Sequence, residues 1–143
     1  MAESTAGRPR LLRATHGEGR LRVEGLAVVL GGDLCVALWG GTGPHVGAVA
    51  LAQARPSLAD PSRTGSTSSV LTLLGHKDDI VARTAADRLA AALGRTAVVT
   101  AGLHVDEATP ADLSALTQAA AECVEDLLRQ ALRLQLGART QWA

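Results

Sequence analysis

Two short segments of this chain combine histidine with glycine and acidic residues, each directly after an apolar run. Residues 71–74 lead into the segment 75–79 (GHKDD), and residues 97–101 lead into the segment 102–107 (GLHVDE). An imidazole ring suits both proton transfer near neutral pH and the binding of a divalent metal ion, because its unperturbed pKa lies in that range. The two segments are therefore the first candidates for a functional site.

A third histidine, His45, follows a glycine-rich loop at residues 40–43. Together His45, His76 and His104 form a candidate metal site, and a metal-dependent hydrolase or lyase is the enzyme that such a site would serve. The same three residues are equally consistent with surface histidines that bond to the backbone of turns. The spacing alone does not choose between these interpretations.

The acidic and basic neighbours of the histidines have candidate roles of their own. Asp78 precedes a predicted helix and is expected to cap its first N–H groups. Asp106 is a candidate for the carboxylate that holds a histidine in one tautomer. Lys77 lies at a helix N-terminus, where a cation opposes the helix dipole, so it points either to an anionic ligand or to a solvated side chain.

Glycines and a polar loop supply candidate contacts for a phosphate group. Gly41, Gly43 and Gly47 have the spacing GxGxxxG, which does not fit the dinucleotide-binding motif. Residues 55–66 form the longest stretch without a secondary-structure pattern, and arginine and serine side chains there suit phosphate oxygens. A solubilising loop is the alternative. The candidates in this segment and its neighbourhood are Arg55, Arg63, Ser66, Ser68 and Ser69.

The two histidine segments are placed by a predicted strand, a helix over 79–93 and a second strand at 97–101. Strands joined by a crossover helix run parallel, so both turns should open at the same edge of the sheet. Ligands of such sheets collect outside the carboxyl ends of the strands. We therefore expect His76 and His104 to lie close together.

The rest of the chain predicts an α/β (α+β) fold with a mixed, largely antiparallel sheet. Strands are expected at 11–16, 20–30, 34–39 and 46–53, followed by a C-terminal β-α-β-α unit with both helices on one face. The last helix should begin at Thr109-Pro110 and run to Gly137, and Gly94 should end the first. The expected organisation is a disordered leader at 1–10, one domain at 11–137 and a tail at 138–143. Because the strands look apolar on both sides, a homodimer or higher homo-oligomer should bury the second face.

Composition narrows the class of protein. The 143 residues include 14 basic and 14 acidic side chains, a balance that argues against a nucleic-acid partner. No apolar run is long enough for a membrane span, and a cytoplasmic location is expected. Cys35 and Cys123 are expected to be buried, unreactive thiols. Only Trp39 and Trp142 are aromatic, so a flat ligand has few rings on which to stack.

Three segments in order resemble the LpdD family: 43–50 (GPHVGAVA), 69–79 (SVLTLLGHKDD) and 101–106 (AGLHVD). Members of that family are small proteins that accompany UbiD-type decarboxylases, such as gallate decarboxylase, and are considered carriers or chaperones of prenylated FMN. The resemblance spans residues 20–128. It implies a non-catalytic protein that binds prenylated FMN and supports the maturation of a UbiD-type decarboxylase, with a UbiX-type flavin prenyltransferase as a further partner and FMN as an analogue of the ligand.

The resemblance also implies where the flavin binds. Carried over position by position, it puts six residues in or beside the site: His45, His76, Lys77, Asp78, His104 and Asp106. To these we add the turn glycines and two phosphate candidates: Gly41, Gly43, Gly75, Gly102, Arg55 and Ser69. A divalent metal ion at His45, His76 and His104 is the alternative.

Overall fold

The computed structural model describes residues 9–75, 77–134 and 136. These form one sheet of six strands and two long helices. The strands are β1 (Arg10–His16), β2 (Val23–Leu30), β3 (Asp33–Gly41), β4 (Ala48–Pro56), β5 (Thr64–Thr72) and β6 (Thr96–His104). The helices are α1 (Asp79–Leu93) and α2 (Pro110–Arg133), and a short 3₁₀ helix covers Gly19–Leu21.

The sheet has the order β1-β2-β3-β6-β4-β5 and is antiparallel except where β3 and β6 pair in parallel. Strands β5 and β6 both pair antiparallel with β4, which lies between them. They therefore run in the same direction, as the crossover predicted, although they are not neighbours. The mixed, largely antiparallel fold expected from the sequence is confirmed.

Helix α1 begins and ends where local sequence signals predict, and α2 begins where they predict. Helix α2 ends at Arg133, before the predicted stop at Gly137, which lies outside the described residues. Helix α1 runs from Asp79 to Leu93 and ends at Gly94, whose φ of 64° is left-handed. Helix α2 begins with a capping box, in which the Thr109 side chain accepts from the N–H of Asp112 and the Asp112 carboxylate accepts from the N–H of Thr109. Such reciprocal bonds satisfy two of the donors that every helix start leaves unpaired.

The loop expected at 55–66 is shorter than predicted and covers residues 57–63. Strand β4 continues to Pro56 and β5 begins at Thr64, with Arg55 opposite Gly65 in the register. Of the polar candidates, Arg55 lies in β4 and Ser66 in the edge strand β5, whereas Arg63 stays in the loop. The hydroxyl groups of Ser66 and Ser68 donate to the Asp87 carboxylate of α1, at 2.7 and 3.1 Å. Serine suits positions 66 and 68 of this strand because both side chains face α1, where the Asp87 carboxylate accepts their hydrogen bonds.

The strand expected to start at residue 20 is also shorter than predicted. Residues 19–21 turn through the 3₁₀ helix, in which the N–H of Leu21 donates to the carbonyl of Glu18 at 3.0 Å. Gly17 and Gly19 on either side of Glu18 have positive φ, which bends the chain before β2 begins at Val23. The first two residues of the alternating segment 20–24 therefore lie in a turn and not in the strand.

Helices α1 and α2 lie on the same face of the sheet and pack against each other. Helix α1 covers β4, β5 and β6, and α2 covers β1 and β2. Small side chains such as Ala82, Ala86 and Ala90 are buried between α1 and the sheet. Outside this core, the Arg88 guanidinium donates to both carboxylate oxygens of Glu125 at 2.6 and 3.0 Å, which joins the two helices.

The two cysteines differ, which corrects the expectation that both are buried. Cys123 of α2 is fully buried, its thiol donates to the carbonyl of Val23, and burial raises its pKa to about 11. Cys35 of β3 is exposed on the sheet face opposite the helices. Its side chain alternates with those of Leu34 and Val36, which face the helices.

Within the parts of the chain that the structure describes, no helix has the length and apolar character needed to cross a membrane.

Candidate functional site

His45 and Asp78 form a largely buried pair at the edge of the sheet. His45 lies between β3 and β4, and Asp78 directly precedes α1. Their Nε2 and Oδ2 atoms are 3.0 Å apart, and the other ring nitrogen, Nδ1, lies 2.9 Å from the carbonyl oxygen of Gly43. The remaining carboxylate oxygen of Asp78 accepts from the N–H of Leu103 at 3.0 Å. This carboxylate thus joins the loop after β3, the start of α1 and the end of β6.

The predicted capping role of Asp78 is wrong. Asp78 occupies the N-cap position of α1, but its side chain makes no capping bond. It is 6% exposed, and both of its oxygens are engaged by His45 and by β6. A carboxylate at a helix start normally serves the helix, but tertiary contacts supply stronger partners here.

Glycines allow the loop and the strands to approach so closely. A Cβ atom at Gly47 would lie 1.9 Å from Oδ2 of Asp78, and one at Gly102 would lie 1.5 Å from the carbonyl oxygen of His45. Neither position has room for a side chain. Gly102 is a predicted site residue, whereas Gly47 has no predicted role of its own, although it lies in the GxGxxxG pattern and in the segment 43–50. The signal that could have found Gly47 is its position two residues after a histidine, at the start of a buried strand.

His104 and Asp106 form a second pair, which is exposed. Nε2 of His104 lies 3.0 Å from Oδ1 of Asp106. The Thr42 hydroxyl donates to Oδ2 of Asp106 at 3.2 Å and accepts from the N–H of Asp106 at 3.0 Å. This is the geometry expected of a carboxylate that orients a histidine. Thr42 was not predicted, because nothing in its local sequence reveals a contact 64 residues away.

The two pairs lie side by side. The ring centroids of His45 and His104 are 6.4 Å apart and the ring planes are inclined by 75°. The predicted convergence is therefore confirmed for these two histidines. His76 lies outside the described residues. Lys77 is exposed and precedes the buried Asp78, and Gly75 has a φ of 82°.

The glycine turn after β3 serves packing, and its N–H groups are committed within the protein. The N–H groups of Thr42 and Gly43 both approach the carbonyl of His104, at 2.7 and 3.3 Å. A Cβ atom at Gly41, where φ is 84°, would lie 1.9 Å from the same carbonyl oxygen. The expectation that this turn offers backbone donors to a phosphate therefore does not match its geometry.

Arg55 and Ser69 lie away from the histidines. Strand β4 begins beside the histidine edge at Ala48, so Arg55 is seven residues along it, roughly 23 Å away. Its Nε donates to the Thr67 hydroxyl and its Nη1 to the carbonyl of Pro56. Ser69 is exposed in the middle of β5, opposite Leu51. The structure does not bring these two predicted phosphate contacts to the same edge as His45.

Among the described residues, no three histidine, cysteine or acidic side chains are arranged to hold a metal ion. Nε2 of His45 faces the Asp78 carboxylate. The three-histidine metal site includes His76, which lies outside the described residues, so that site stays a prediction.

The two pairs offer different chemistry. Both ring nitrogens of His45 face acceptor oxygens, so this ring is fixed in place. Nε2 of His104 contacts Asp106, whereas none of the described residues bonds to its Nδ1, and its side chain is 55% exposed. Nδ1 of His104 is therefore the atom that can accept a hydrogen bond from a ligand when the ring is neutral and donate one when it is protonated.

A solved structure shares the fold. The protein aligns with a TM-score of 0.56 and 18% identity to a chain described as "Crystal Structure of a Novel Chaperone Complex for Yeast 20S Proteasome Assembly", covering 87% of this chain and 98% of that chain. At this identity the likeness shows the architecture of the sheet and helices alone.

Sequence comparison is more specific. Protein LpdD of Lactiplantibacillus plantarum (strain ATCC BAA-793 / NCIMB 8826 / WCFS1) is 31% identical over 112 residues, which cover 76% of this chain and 74% of that protein. The family model described as "Prenylated flavin chaperone LpdD-like domain" matches residues 17–132, which include both histidine–carboxylate pairs. The chain therefore belongs to the LpdD-like chaperone family.

Proposed function

We propose that this protein is a non-catalytic carrier that binds prenylated FMN and delivers it to a UbiD-type decarboxylase. The observation that carries the proposal is the exposed His104–Asp106 pair in a chain of the LpdD-like family. The centroid of the His104 ring lies 6.4 Å from that of the fixed His45 ring. The His45–Asp78 pair, which we call the inner pair, is fixed in place, whereas the His104–Asp106 pair, the outer pair, is accessible to a ligand. A carrier needs both a rigid site and an accessible contact, because it must hold its ligand and also release it.

The polar end of the site suits an anionic flavin nucleotide. Lys77 and Nδ1 of His104 are exposed at the same edge of the sheet, because β5 and β6 run in the same direction. An ammonium group and a protonated imidazole both donate to phosphate oxygens. We assign the phosphate of the flavin to these two side chains, in place of the glycine turn and Arg55.

The apolar end of the site is next to Trp39. This residue is half-buried near the end of β3 and lies opposite Gly102 of β6 in the register. The carbonyl of His45 fills the space over Gly102, so the indole of Trp39 is itself the aromatic surface at this edge, and offset stacking of rings contributes about 0.5–1.5 kcal/mol. The isoalloxazine ring of the flavin would pack there, with its phosphate toward His104.

Flavin retention tests the proposal. Purified protein is mixed with reduced prenylated FMN, or with FMN as the analogue, and desalted; we expect flavin absorbance to remain with the protein. His104→Ala and Lys77→Ala should each weaken retention. Arg133→Ala removes an exposed cation at the far end of α2 and should leave retention unchanged. Loss of all flavin from the unmodified protein at micromolar concentration would refute the proposal.

Delivery is tested separately. Flavin-loaded protein is added to an apo UbiD-type decarboxylase, and the rate at which decarboxylase activity appears is compared with that from an equal amount of unbound prenylated FMN. We expect faster activation by the loaded protein. Elemental analysis of the same preparation addresses the alternative function: a stoichiometric divalent ion that is lost in His104→Ala would favour a metal-dependent hydrolase or lyase.

A further inference from the structure

The outer pair is exposed, so its two side chains do not fix their own orientation. The side chains of His104 and Asp106 are 55% and 78% exposed. Water screens such a pair, and holding two exposed side chains in one geometry costs conformational entropy. A further group is needed if the His104 ring is to present the same nitrogen to every ligand.

The Thr42 hydroxyl is placed to hold the Asp106 carboxylate. Its oxygen accepts from the N–H of Asp106 at 3.0 Å, and its hydrogen has two acceptors in reach: Oδ2 of Asp106 at 3.2 Å and the carbonyl of His104 at 3.4 Å. A carbonyl oxygen has two lone pairs, and the N–H groups of Thr42 and Gly43 already approach that carbonyl at 2.7 and 3.3 Å. The hydroxyl hydrogen therefore belongs to Oδ2 of Asp106, which is also the shorter contact.

The turn that carries Asp106 has a strained backbone and depends on such contacts. Glu107 has a φ of 50°, the one positive value among the non-glycine residues that the structure describes. A left-handed backbone is unfavourable for a residue with a Cβ atom, so it persists where surrounding contacts enforce it. Thr42 supplies one such contact, and Arg20 supplies another by donating to the carbonyl of Asp106 at 3.1 Å. Residues distant in the chain therefore set the conformation of this turn.

We propose that Thr42 is a positioning residue of the flavin site, and that it acts through Asp106 to make Nδ1 of His104 the nitrogen that faces the ligand. An ionised carboxylate can only accept, so its contact with Nε2 of His104 at 3.0 Å requires a hydrogen on that nitrogen. In the neutral ring Nδ1 then carries the free lone pair. Without the hydroxyl the carboxylate can rotate away, and the ring hydrogen can occupy either nitrogen.

The fixed tautomer suits a phosphate monoester, and in this respect the inference rests on the proposed function. A neutral ring with a free lone pair on Nδ1 accepts from a phosphate hydroxyl, and a protonated ring donates to a phosphate oxyanion. A phosphate monoester offers both groups near neutral pH, because its second pKa is about 6. The other tautomer would present an N–H to the ligand even when the ring is neutral, and would lose the first of these contacts.

The first test measures the tautomer of His104 in the flavin-free protein. Nitrogen-15 NMR of the imidazole rings is recorded at mildly alkaline pH, where an imidazole is neutral, and His104→Ala identifies the signals. We expect the hydrogen on Nε2 in the unmodified protein and a mixture of both tautomers in Thr42→Val, which keeps the branched side chain but lacks the hydroxyl. Thr42→Ser restores the hydroxyl and should restore the single tautomer.

The matched control removes a threonine hydroxyl elsewhere. Thr117 lies on α2, where its hydroxyl donates to the carbonyl of Leu113 at 2.9 Å. Thr117→Val should leave the His104 tautomer unchanged. Circular dichroism verifies that all of these variants fold.

The second test measures the affinity for FMN by fluorescence titration. Thr42→Val should weaken binding about 3- to 10-fold, the equivalent of one hydrogen bond of ordinary net strength. Thr42→Ser and Thr117→Val should bind FMN as the unmodified protein does. The loss should accompany the change of tautomer, because Thr42 acts through the ring.

Three outcomes would overturn the proposal. A single Nε2–H tautomer in Thr42→Val would show that the hydroxyl does not position the ring. Mixed tautomers in Thr42→Ser as well would show that the hydroxyl is not the cause. Weaker FMN binding without a change of tautomer would show that Thr42 contacts the ligand itself. The NMR measurement needs no ligand, so it decides the role of Thr42 even if FMN does not bind, an outcome that would refute the carrier function alone.

Discussion

The two histidine–carboxylate pairs have the same chemistry and the same 3.0 Å separation, but they lie in different environments. In the inner pair the side chains of His45 and Asp78 are 23% and 8% exposed, and in the outer pair those of His104 and Asp106 are 55% and 78% exposed. The inner carboxylate also holds the backbone of β6. The inner pair therefore builds the edge of the sheet, and the outer pair is available to a ligand.

Burial explains why equal geometry gives unequal energies. An exposed ion pair is screened by water and salt, and its net contribution is commonly about 0–1 kcal/mol. Removing one partner of a buried pair leaves polar groups without water or protein partners, and costs about 3–5 kcal/mol. Stability should therefore depend on the inner pair and ligand affinity on the outer pair.

The largest expected difference in the free energy of unfolding is that between the variants Asp78→Ala and Asp106→Ala. Asp78→Ala should lower the free energy of unfolding by about 3 kcal/mol, because the N–H of Leu103 and Nε2 of His45 both lose their acceptor. Asp106→Ala should change it by less than about 1 kcal/mol. Urea denaturation of both variants measures the difference. Equal losses would show that the two pairs do not differ in role.

The glycines provide a second contrast. Gly47→Ala should cost about 2 kcal/mol, since its Cβ would collide with the Asp78 carboxylate, and overpacking of this kind costs about 1–3 kcal/mol. Gly43→Ala should cost less, because its Cβ would lie 3.2 Å from Cδ2 of the exposed His104 ring, which has room to move. Thermal unfolding of the two variants compares them. A larger loss for Gly43→Ala would contradict the assignment of the inner pair to structure.

Flavin affinity should depend more on the outer pair than on the inner pair, which is the reverse of the expectation for stability. His104→Ala should weaken flavin binding by ~10-fold, equivalent to about 1.4 kcal/mol, with the unfolding midpoint unchanged. Fluorescence titration with FMN, run beside a denaturation curve, measures both quantities. A variant that loses stability and affinity together would indicate that His104 supports the fold instead of contacting the ligand.

The smallest expected effect is on the pH dependence of stability, and it concerns contacts of the turn that carries the outer pair. Arg20 donates to the carbonyl of Asp106 and to the Asp112 carboxylate, which links this turn to the start of α2. Backbone bonding to Thr109, and the Arg20 charge to a smaller extent, lower the pKa of Asp112 from its ordinary value of 3.8.

Because its pKa is lowered in the folded state, Asp112 stabilises the fold fully above about pH 4, and this stabilisation is lost as the pH falls through the folded pKa. The melting temperature of the unmodified protein should therefore fall more steeply below pH 4 than that of Asp112→Asn. Parallel acid-side slopes for the two proteins would show that the capping box contributes no pH dependence.

Much of the fold could be predicted from local patterns. The bounds of α1 follow from its apolar period and Gly94, and the start of α2 follows from the capping box at Thr109. These signals act over one or two helical turns and are visible in any short window of sequence. The shared direction of β5 and β6 followed from the handed, parallel geometry of crossovers.

The site was predicted only in part. His104 at a strand end and His45 after a glycine-rich loop are both candidates from the sequence, but the role of Asp78 is not predictable, because its partners lie 25 and 33 residues away. Arginine, proline and serine are typical of loops, so the sequence predicts a loop at Arg55, whereas the pairing of β4 with β5 makes Arg55 part of a strand and shortens the loop to residues 57–63.

The sequence by itself determined the helices, the apolar strands and the residue types gathered at one edge, since propensity, periodicity and capping depend on near neighbours. Only the tertiary structure decided which histidine is buried and which is exposed. That distinction depends on the sheet order and on glycines that let the loop before β4 lie against β6. These contacts join residues that are distant in the chain. They set the burial of each pair, and burial sets the strength of its hydrogen bonds.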